Sequence, residues 1–257
     1  MFDDASGEAW RLIVYEPVHD GWKFTNIGGL RVLDEIGRRA RLGPRSRVLE
    51  LCCGLGDTCC YLASRFGCRV SGLEINREQL AAGRANLARE HPAVADRVRF
   101  IAGDLLRWQP DRAYDVVYVM DSLMYLPERA SVLRKAHQAL VPGGWLVLAE
   151  VLAGPELTAG DRSAMWETEG VVELPSPQEQ EEMLAGVGFE SLRLEDLSDL
   201  AVSCFEKICR ANREHRETLR AMGAERYTDV ESNEFYRRAF HEGRLVYFQA
   251  AARRPRS

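Results

Sequence analysis

The stretch "VLELCCGLGDTCCYLA", Val48–Ala63, decides the fold. It starts as an apolar run, breaks at Gly54 and Gly56, and resumes as a helical pattern at Asp57. A strand that ends in a glycine turn before a helix fits a nucleotide-binding turn. Glycine lets the backbone bend sharply and lets a ligand approach with no Cβ in the way. The helix start then offers free N–H groups. The next apolar run, "CRVSGLEI", ends near Glu74, about twenty residues past the first glycine, where an acid can accept both hydroxyls of a ribose. A glycine pair alone also fits an ordinary βα turn, and the acid turns the choice toward a nucleoside. A dinucleotide site wants a third glycine three residues after the second. That place holds Cys59.

The same stretch carries four of the chain's seven cysteines, as the doublets Cys52-Cys53 and Cys59-Cys60. Zinc ligands come as spaced C-x2-4-C pairs or as Cys/His mixtures, and no histidine lies nearby, so no metal is expected. Seven is odd and the chain is too large to need disulfide staples. The doublets read as small buried hydrophobes. A net charge of −5 argues against a broad nucleic-acid surface. The opening "MFDDASGEAW" is acidic and unlike a signal peptide, and no apolar run is long enough for a membrane span. A cytoplasmic protein with no membrane or nucleic-acid partner is expected.

From about Arg45, strand-like runs alternate with helical patterns, the mark of a parallel sheet with crossover helices. "RVLELC", "CRVSGLEI", "RVRFIAGD", "YDVVYVMDS" and "VPGGWLVLAEV" are the first five strands. "DTCCYLASRF" is a helix with Asp57 as a possible cap, and "NREQLAAGRANLARE" a helix that Asn76 can cap. "SPQEQEEMLAGVGF" is a capped helix ending in glycine, followed by a sixth strand, "ESLRLEDL". The expected architecture is α/β, a Rossmann-like doubly wound sheet of seven strands with the last antiparallel. Residues 1–44 form an N-terminal helical lid, 45–197 the cofactor-binding core, 198–241 a helical cap inserted before the last strand, and 242–252 that strand. The whole is one domain.

These motifs resemble the class I S-adenosylmethionine-dependent methyltransferases, of the small-molecule, specialised-metabolite type. "VLELCCGLGDTCCYLA" looks like the family's first motif, commonly V-L-D-x-G-C-G-x-G, with Glu50 for the aspartate and Cys53, Gly54 and Gly56 in register. The resemblance covers about residues 45–197. It implies that Glu74, with Ile75 beside it, holds the ribose of the methyl donor. It places Asp104 at the adenine amine and Leu105 at the adenine ring. Met120 and Asp121 end the fourth strand, and "ALVPGGWLVLAE" resembles the usual lead into the fifth. Cys52 departs from the pattern, because the family usually has glycine there, against the amino-acid part of the donor. Its side chain must point away or narrow the pocket. The implied cofactor is S-adenosylmethionine, with S-adenosylhomocysteine as product.

Transfer from a sulfonium is an in-line displacement, so the protein must position the acceptor and exclude water. The two helical additions are the natural lid. Tyr15, His19, Trp22, Phe24 and Thr25 are lid candidates, though Trp22 and Phe24 taken singly also read as packing. Trp166, Phe205, Tyr227, Phe235 and Tyr236 are candidate linings. Tyr125, Glu150 and His241 are the catalytic candidates, but Tyr125 also fits a core edge and Glu150 a backbone cap. The expected acceptor is a small, apolar or aromatic specialised metabolite attacking through carbon, nitrogen or oxygen. A nicotinamide-dependent oxidoreductase and a non-catalytic methyltransferase-like partner subunit are the alternatives. Monomer and homo-oligomer both stay open.

Overall fold

The structure is a computed structural model and describes residues 5–224 and 230–256. Seven strands form one sheet: β1 (Arg47–Leu51), β2 (Arg69–Glu74), β3 (Val98–Ala102), β4 (Tyr114–Met120), β5 (Leu140–Ala153), β6 (Glu190–Asp196) and β7 (Leu245–Arg253). Their order is β3-β2-β1-β4-β5-β7-β6. The first five pair in parallel, and β7 runs antiparallel between β5 and β6. The expected doubly wound sheet with an antiparallel last strand is the observed one.

Parallel strands are covered on both faces, so their residues alternate between two buried cores rather than between core and water. In β4, Val116, Tyr118 and Met120 pack into one core while Val117 and Val119 pack into the other. The first core lies under α3 (Gly29–Arg39), α4 (Asp57–Phe66) and α5 (Arg77–Glu90). The second lies under α6 (Arg129–Ala139) and α8 (Pro177–Val187).

Local chemistry sets several boundaries. The Asn76 side chain accepts from the amides of Glu78 and Gln79 and starts α5. Ser176 and Glu179 close a capping box at α8, with Pro177 at the first turn and Gly188 left-handed at the end. Another capping box, Thr158 with Asp161, starts α7 (Ala159–Glu169), a helix not anticipated from the sequence. Asp57 is not the cap expected of it. Left-handed Gly56 holds that position, and the Asp57 side chain turns to another partner.

Two helical additions flank the carboxyl edge of the sheet. At the front, α1 (Ala5–Trp10) passes through a π-helical turn, Arg11–Tyr15, into the short α2 (Glu16–Val18). Late in the chain come α9 (Ser198–Glu214), α10 (Arg216–Ala221) and α11 (Val230–His241). The Trp10 indole donates to Asn212 Oδ1 at 3.0 Å and so ties the front addition to α9. Tyr227 lies outside the described residues. Among the described residues no helix is long and apolar enough to cross a membrane.

The cysteines are all free thiols, and their packing has a specific cause. Gly72 sits beside Glu50 across the β1–β2 pair. A Cβ at Gly72 would come 2.5 Å from Cys53 Sγ and 3.0 Å from Cys59 Sγ. The missing side chain is the space the sulfurs fill. Gly72→Ala is therefore expected to destabilise by about 1–3 kcal/mol through overpacking, read as a lowered thermal midpoint. Adding Cys53→Ala should recover part of that loss, and a strictly additive pair would refute the contact as its cause.

Candidate functional site

The chain crosses out of β1 to one side of the sheet and out of β4 to the other, so a crevice opens beyond their carboxyl ends. The loop after β1 fills its floor. Cys52, Gly54 and Gly56 all have positive φ, at 60°, 54° and 78°. A Cβ on Gly54 would project into open space, with only Gln79 Oε1 nearby at 3.8 Å. A Cβ on Gly56 would strike the Phe100 ring at 2.2 Å. Cys52 adopts a left-handed backbone that glycine takes without strain and other residues take at a cost of about 1–3 kcal/mol. That conformation is the physical reason for a glycine there.

Glu50 is buried beneath this loop, opposite Tyr118 across the β1–β4 pair. Its carboxylate accepts from the Tyr118 hydroxyl at 2.6 Å, the Cys59 thiol at 2.8 Å and the Thr58 hydroxyl. Burial pushes its carboxyl up to about 7, against the pull of those donors. The carboxylate thus holds the loop and the start of α4 to the sheet.

Glu74 ends β2 and faces the same crevice. Its oxygens accept from the backbone amides of Gly54 (3.0 Å), Ile75 (2.9 Å) and Asn76 (2.9 Å). Carboxylate oxygens carry about four acceptor sites in all, so capacity is left for a ligand. The crevice has a volume of about 370 Å³. Glu50, Cys52, Gly54, Gly56, Glu74, Ile75, Met120 and Asp121 all line it, as do Phe24, Thr25 and Tyr125.

Asp104 and Leu105 are not among its lining residues. Asp104 Oδ1 accepts from the Leu106 amide at 2.9 Å, its other oxygen lies 3.5 Å from the Arg107 guanidinium, and Leu105 is buried in the second core. In this structure their side chains serve a local turn and the sheet packing. Gln79, read from the sequence as structural, does line the crevice.

The front segment closes one side. Arg11 is almost fully buried, pairs with Asp57 at the start of α4, and donates twice to the Lys23 carbonyl, at 3.1 and 2.9 Å. No sequence pattern marks that pair, since the residues are far apart in the chain. Trp22 lines neither cavity. It stacks on His91 and Phe24 and meets Tyr61 edge-on. His19 is buried between Tyr15 and Phe24, and burial lowers its imidazole to about 4.

A larger chamber, about 720 Å³, adjoins the crevice. Thr25, Asn26, Asp121 and Tyr125 line both, so the two spaces meet at the end of β4. Tyr15, Phe205 and Tyr236 line the chamber as well, with Glu169 and Cys204, which the sequence had not singled out as site residues. Asp121 stands at the junction with a left-handed φ of 47°. Its Oδ2 accepts from the Ile27 amide at 2.7 Å, while Oδ1 is buried without a hydrogen-bond partner. Enclosure, and then the charge of Glu150, push its carboxyl up to about 8.

Three expected site residues lie elsewhere. Glu150 lines neither cavity. Its Oε1 faces the Ser122 and Leu123 amides at 3.4 and 3.3 Å and steadies the loop after β4. His241 is solvent-exposed at the end of α11, among neither set of lining residues. Trp166 is 57% exposed on α7 and lines a separate surface hollow with Arg162 and Val172. Helical periodicity alone does not say which face of α7 or α11 turns inward. Phe235 packs against the first core, with the Arg244 guanidinium over its ring.

Residues 48–144 match the family described as a methyltransferase domain. The chain is 26% identical to phosphoethanolamine N-methyltransferase 3 of Arabidopsis thaliana over 90% of this chain and 46% of that protein. It is 29% identical to 27-O-demethylrifamycin SV methyltransferase of Amycolatopsis mediterranei, over 88% of this chain and 83% of that one. Among solved structures, phosphoethanolamine N-methyltransferase 2 of Haemonchus contortus, bound to phosphomonomethylethanolamine and S-adenosylhomocysteine, superposes with a TM-score of 0.83 at 20% identity. That match covers 94% of this chain and 56% of the other. The chain spans about half the length of the plant phosphoethanolamine relatives it matches. At such identities the structural likeness bears on the fold.

The buried carboxyls carry a pH signature. Burial raises Glu50 and Glu150 from 4.5 to about 7, and enclosure raises Asp121 from 3.8 to about 8. In that window the folded chain holds protons that the unfolded chain has lost, so stability falls as pH rises. The contribution is fully present below about pH 4 and is lost by about pH 8. Thermal midpoints measured from pH 5 to 8 should decline, and Glu150→Gln should flatten the decline. An unchanged slope in that variant would exclude Glu150 as a contributor.

Proposed function

We propose that this chain, which belongs to the class I S-adenosylmethionine-dependent methyltransferases, transfers a methyl group from that donor to a small, largely apolar acceptor. The observation that carries this reading is the meeting of two spaces at the end of β4, a glycine-floored crevice and an aromatic-walled chamber. The crevice residues fit the donor by their chemistry. Gly54 leaves open the space that a Cβ would fill, and Glu74 keeps acceptor capacity for ribose hydroxyls. Bound S-adenosylmethionine supplies a methyl group already activated by its sulfonium.

The chain's own groups do the rest by position. The front helices and α9 flank the junction, and shielding it from water when donor and acceptor are bound favours a displacement held near attack geometry. Asp121, with Oδ1 unpartnered, stands where the two spaces meet and can orient an acceptor or take a proton from it. Tyr125 reaches both spaces and can hold the acceptor from the other side. Tyr15, Phe205 and Tyr236 give the chamber its aromatic walls, which suits an apolar or aromatic specialised metabolite.

Hydride transfer from a nicotinamide has less support, because Cys59 is fully buried in the core where a dinucleotide turn wants glycine. The test is incubation of purified protein with methyl-labelled S-adenosylmethionine and an extract of its source. A labelled small molecule is expected. Label confined to protein or RNA would overturn the acceptor class, and no transfer at all would favour the partner-subunit alternative.

Two variants probe the donor crevice by calorimetry with S-adenosylhomocysteine. Glu74→Ala should weaken binding by about 1.5–3 kcal/mol, the worth of hydrogen bonds to a charged group. Cys52→Gly removes a side chain that lines the crevice and widens it, so affinity should rise. Weaker binding in that variant would show that the thiol itself serves the donor.

A further inference from the structure

Among the described residues the chamber is lined by acids, Asp121 and Glu169, and by no lysine, arginine or histidine. The two carboxylates are fixed in different ways. Glu169, at the end of α7, is held from α11 by the hydroxyls of Tyr236 (2.7 Å) and Ser232. Asp121 is held on one oxygen by the Ile27 amide, which leaves the other buried with no protein donor. Arg129 offers no relief. It is buried near Glu150, with its Nε on Gln180 at 2.8 Å, and lines neither space.

The rest of the wall is rich in ring faces. Phe205 and Tyr236 stack with centroids 5.3 Å apart, and Tyr15 and Tyr125 add two further rings. Carboxyl groups and aromatic rings lining one cavity favour the same kind of guest. An ammonium gains charge-assisted hydrogen bonds from the acids and quadrupole attraction from the rings. An ammonium beside Asp121 also favours that carboxyl's ionised form. An anion would instead lose its water and meet the Glu169 carboxylate with no basic residue in the described lining to offset it, which is unfavourable.

We propose that the chamber takes an apolar acceptor carrying an amine, bound as its cation against Asp121 and Glu169, and that it rejects phosphorylated and carboxylated acceptors. This rests on the methyl-transfer reading, which makes the chamber the acceptor site, and names the acceptor's charge class. It also separates this chain from the matched relatives whose names give a phosphorylated amine as substrate.

The test uses three probes of one shape on full-length protein saturated with S-adenosylhomocysteine: tryptamine, 3-propylindole and indole-3-propionate. Calorimetric titration at neutral pH and low salt should rank the amine first, about tenfold or more tighter than the neutral probe, equivalent to about 1.4 kcal/mol. The carboxylate should be weakest, and added salt should narrow the gap. Glu169→Gln and Asp121→Asn should each shrink the amine's advantage over the neutral probe. If Asp121→Asn misfolds through loss of the Ile27 contact, Glu169→Gln carries the test. The proposal is overturned if the carboxylate binds as well as the amine, if no amine binds, or if the preference survives unchanged in Glu169→Gln. Failure of S-adenosylhomocysteine to bind would instead strike the methyl-transfer reading, with the charge ranking then read on the protein alone.

Discussion

Three donors converge on one buried carboxylate, and the site depends on that convergence. Glu50 receives the Tyr118 hydroxyl from β4 and the Thr58 and Cys59 side chains from the first turn of α4. It therefore joins the two strands at the switch of chain direction to the helix that follows the glycine turn. Losing it would strand buried polar groups, each at a cost of about 1–3 kcal/mol. With the carboxylate in place, the turn from Cys52 to Gly56, left-handed at every second residue, has a fixed base, and Gly54 can face the crevice.

A second set of contacts joins the lid to that base. Arg11 reaches Asp57 at the start of α4, and the Ile27 amide reaches Asp121 at the end of β4. Both link the N-terminal segment to a turn that forms the crevice floor or the junction. The lid and the site are thus one mechanical unit. The Trp10–Asn212 bond extends it to α9, whose Phe205 and Cys204 turn into the chamber. Cys52 and Asp121, two of the six described non-glycine residues with positive φ, both stand where ligand contact is proposed.

Residues with local signals were legible in the sequence. Asn76 capped its helix, Ser176 and Glu179 boxed theirs, and the glycine turn with Glu74 marked the crevice, because each depends on neighbours within a few positions. Other positions misled for an equally definite reason. Asp57 carries a cap's chemistry, yet a residue far away in sequence claims it. Glu150 reads as a strand end, where an acceptor-facing acid would sit, but β5 runs on to Ala153 and the nearby loop amides face its oxygen. His241 lies on α11, whose inward face was settled by packing against α9 and β7, and Trp166 lies on α7, which turns Met165 into the core instead.

Strand–helix alternation, the turn chemistry after β1 and the acid at the end of β2 are readable from the chain alone, since backbone preference and short-range patterning are written residue by residue. Which carboxylates are satisfied, which face a cavity, and that the described lining of the chamber holds acids and no base follow from tertiary packing. Those properties belong to side chains brought together from the end of β4, from α7 and from α9 and α11. Their separation in the chain leaves no local pattern, so burial and charge at the site emerge when the sheet and its two helical additions close on one another.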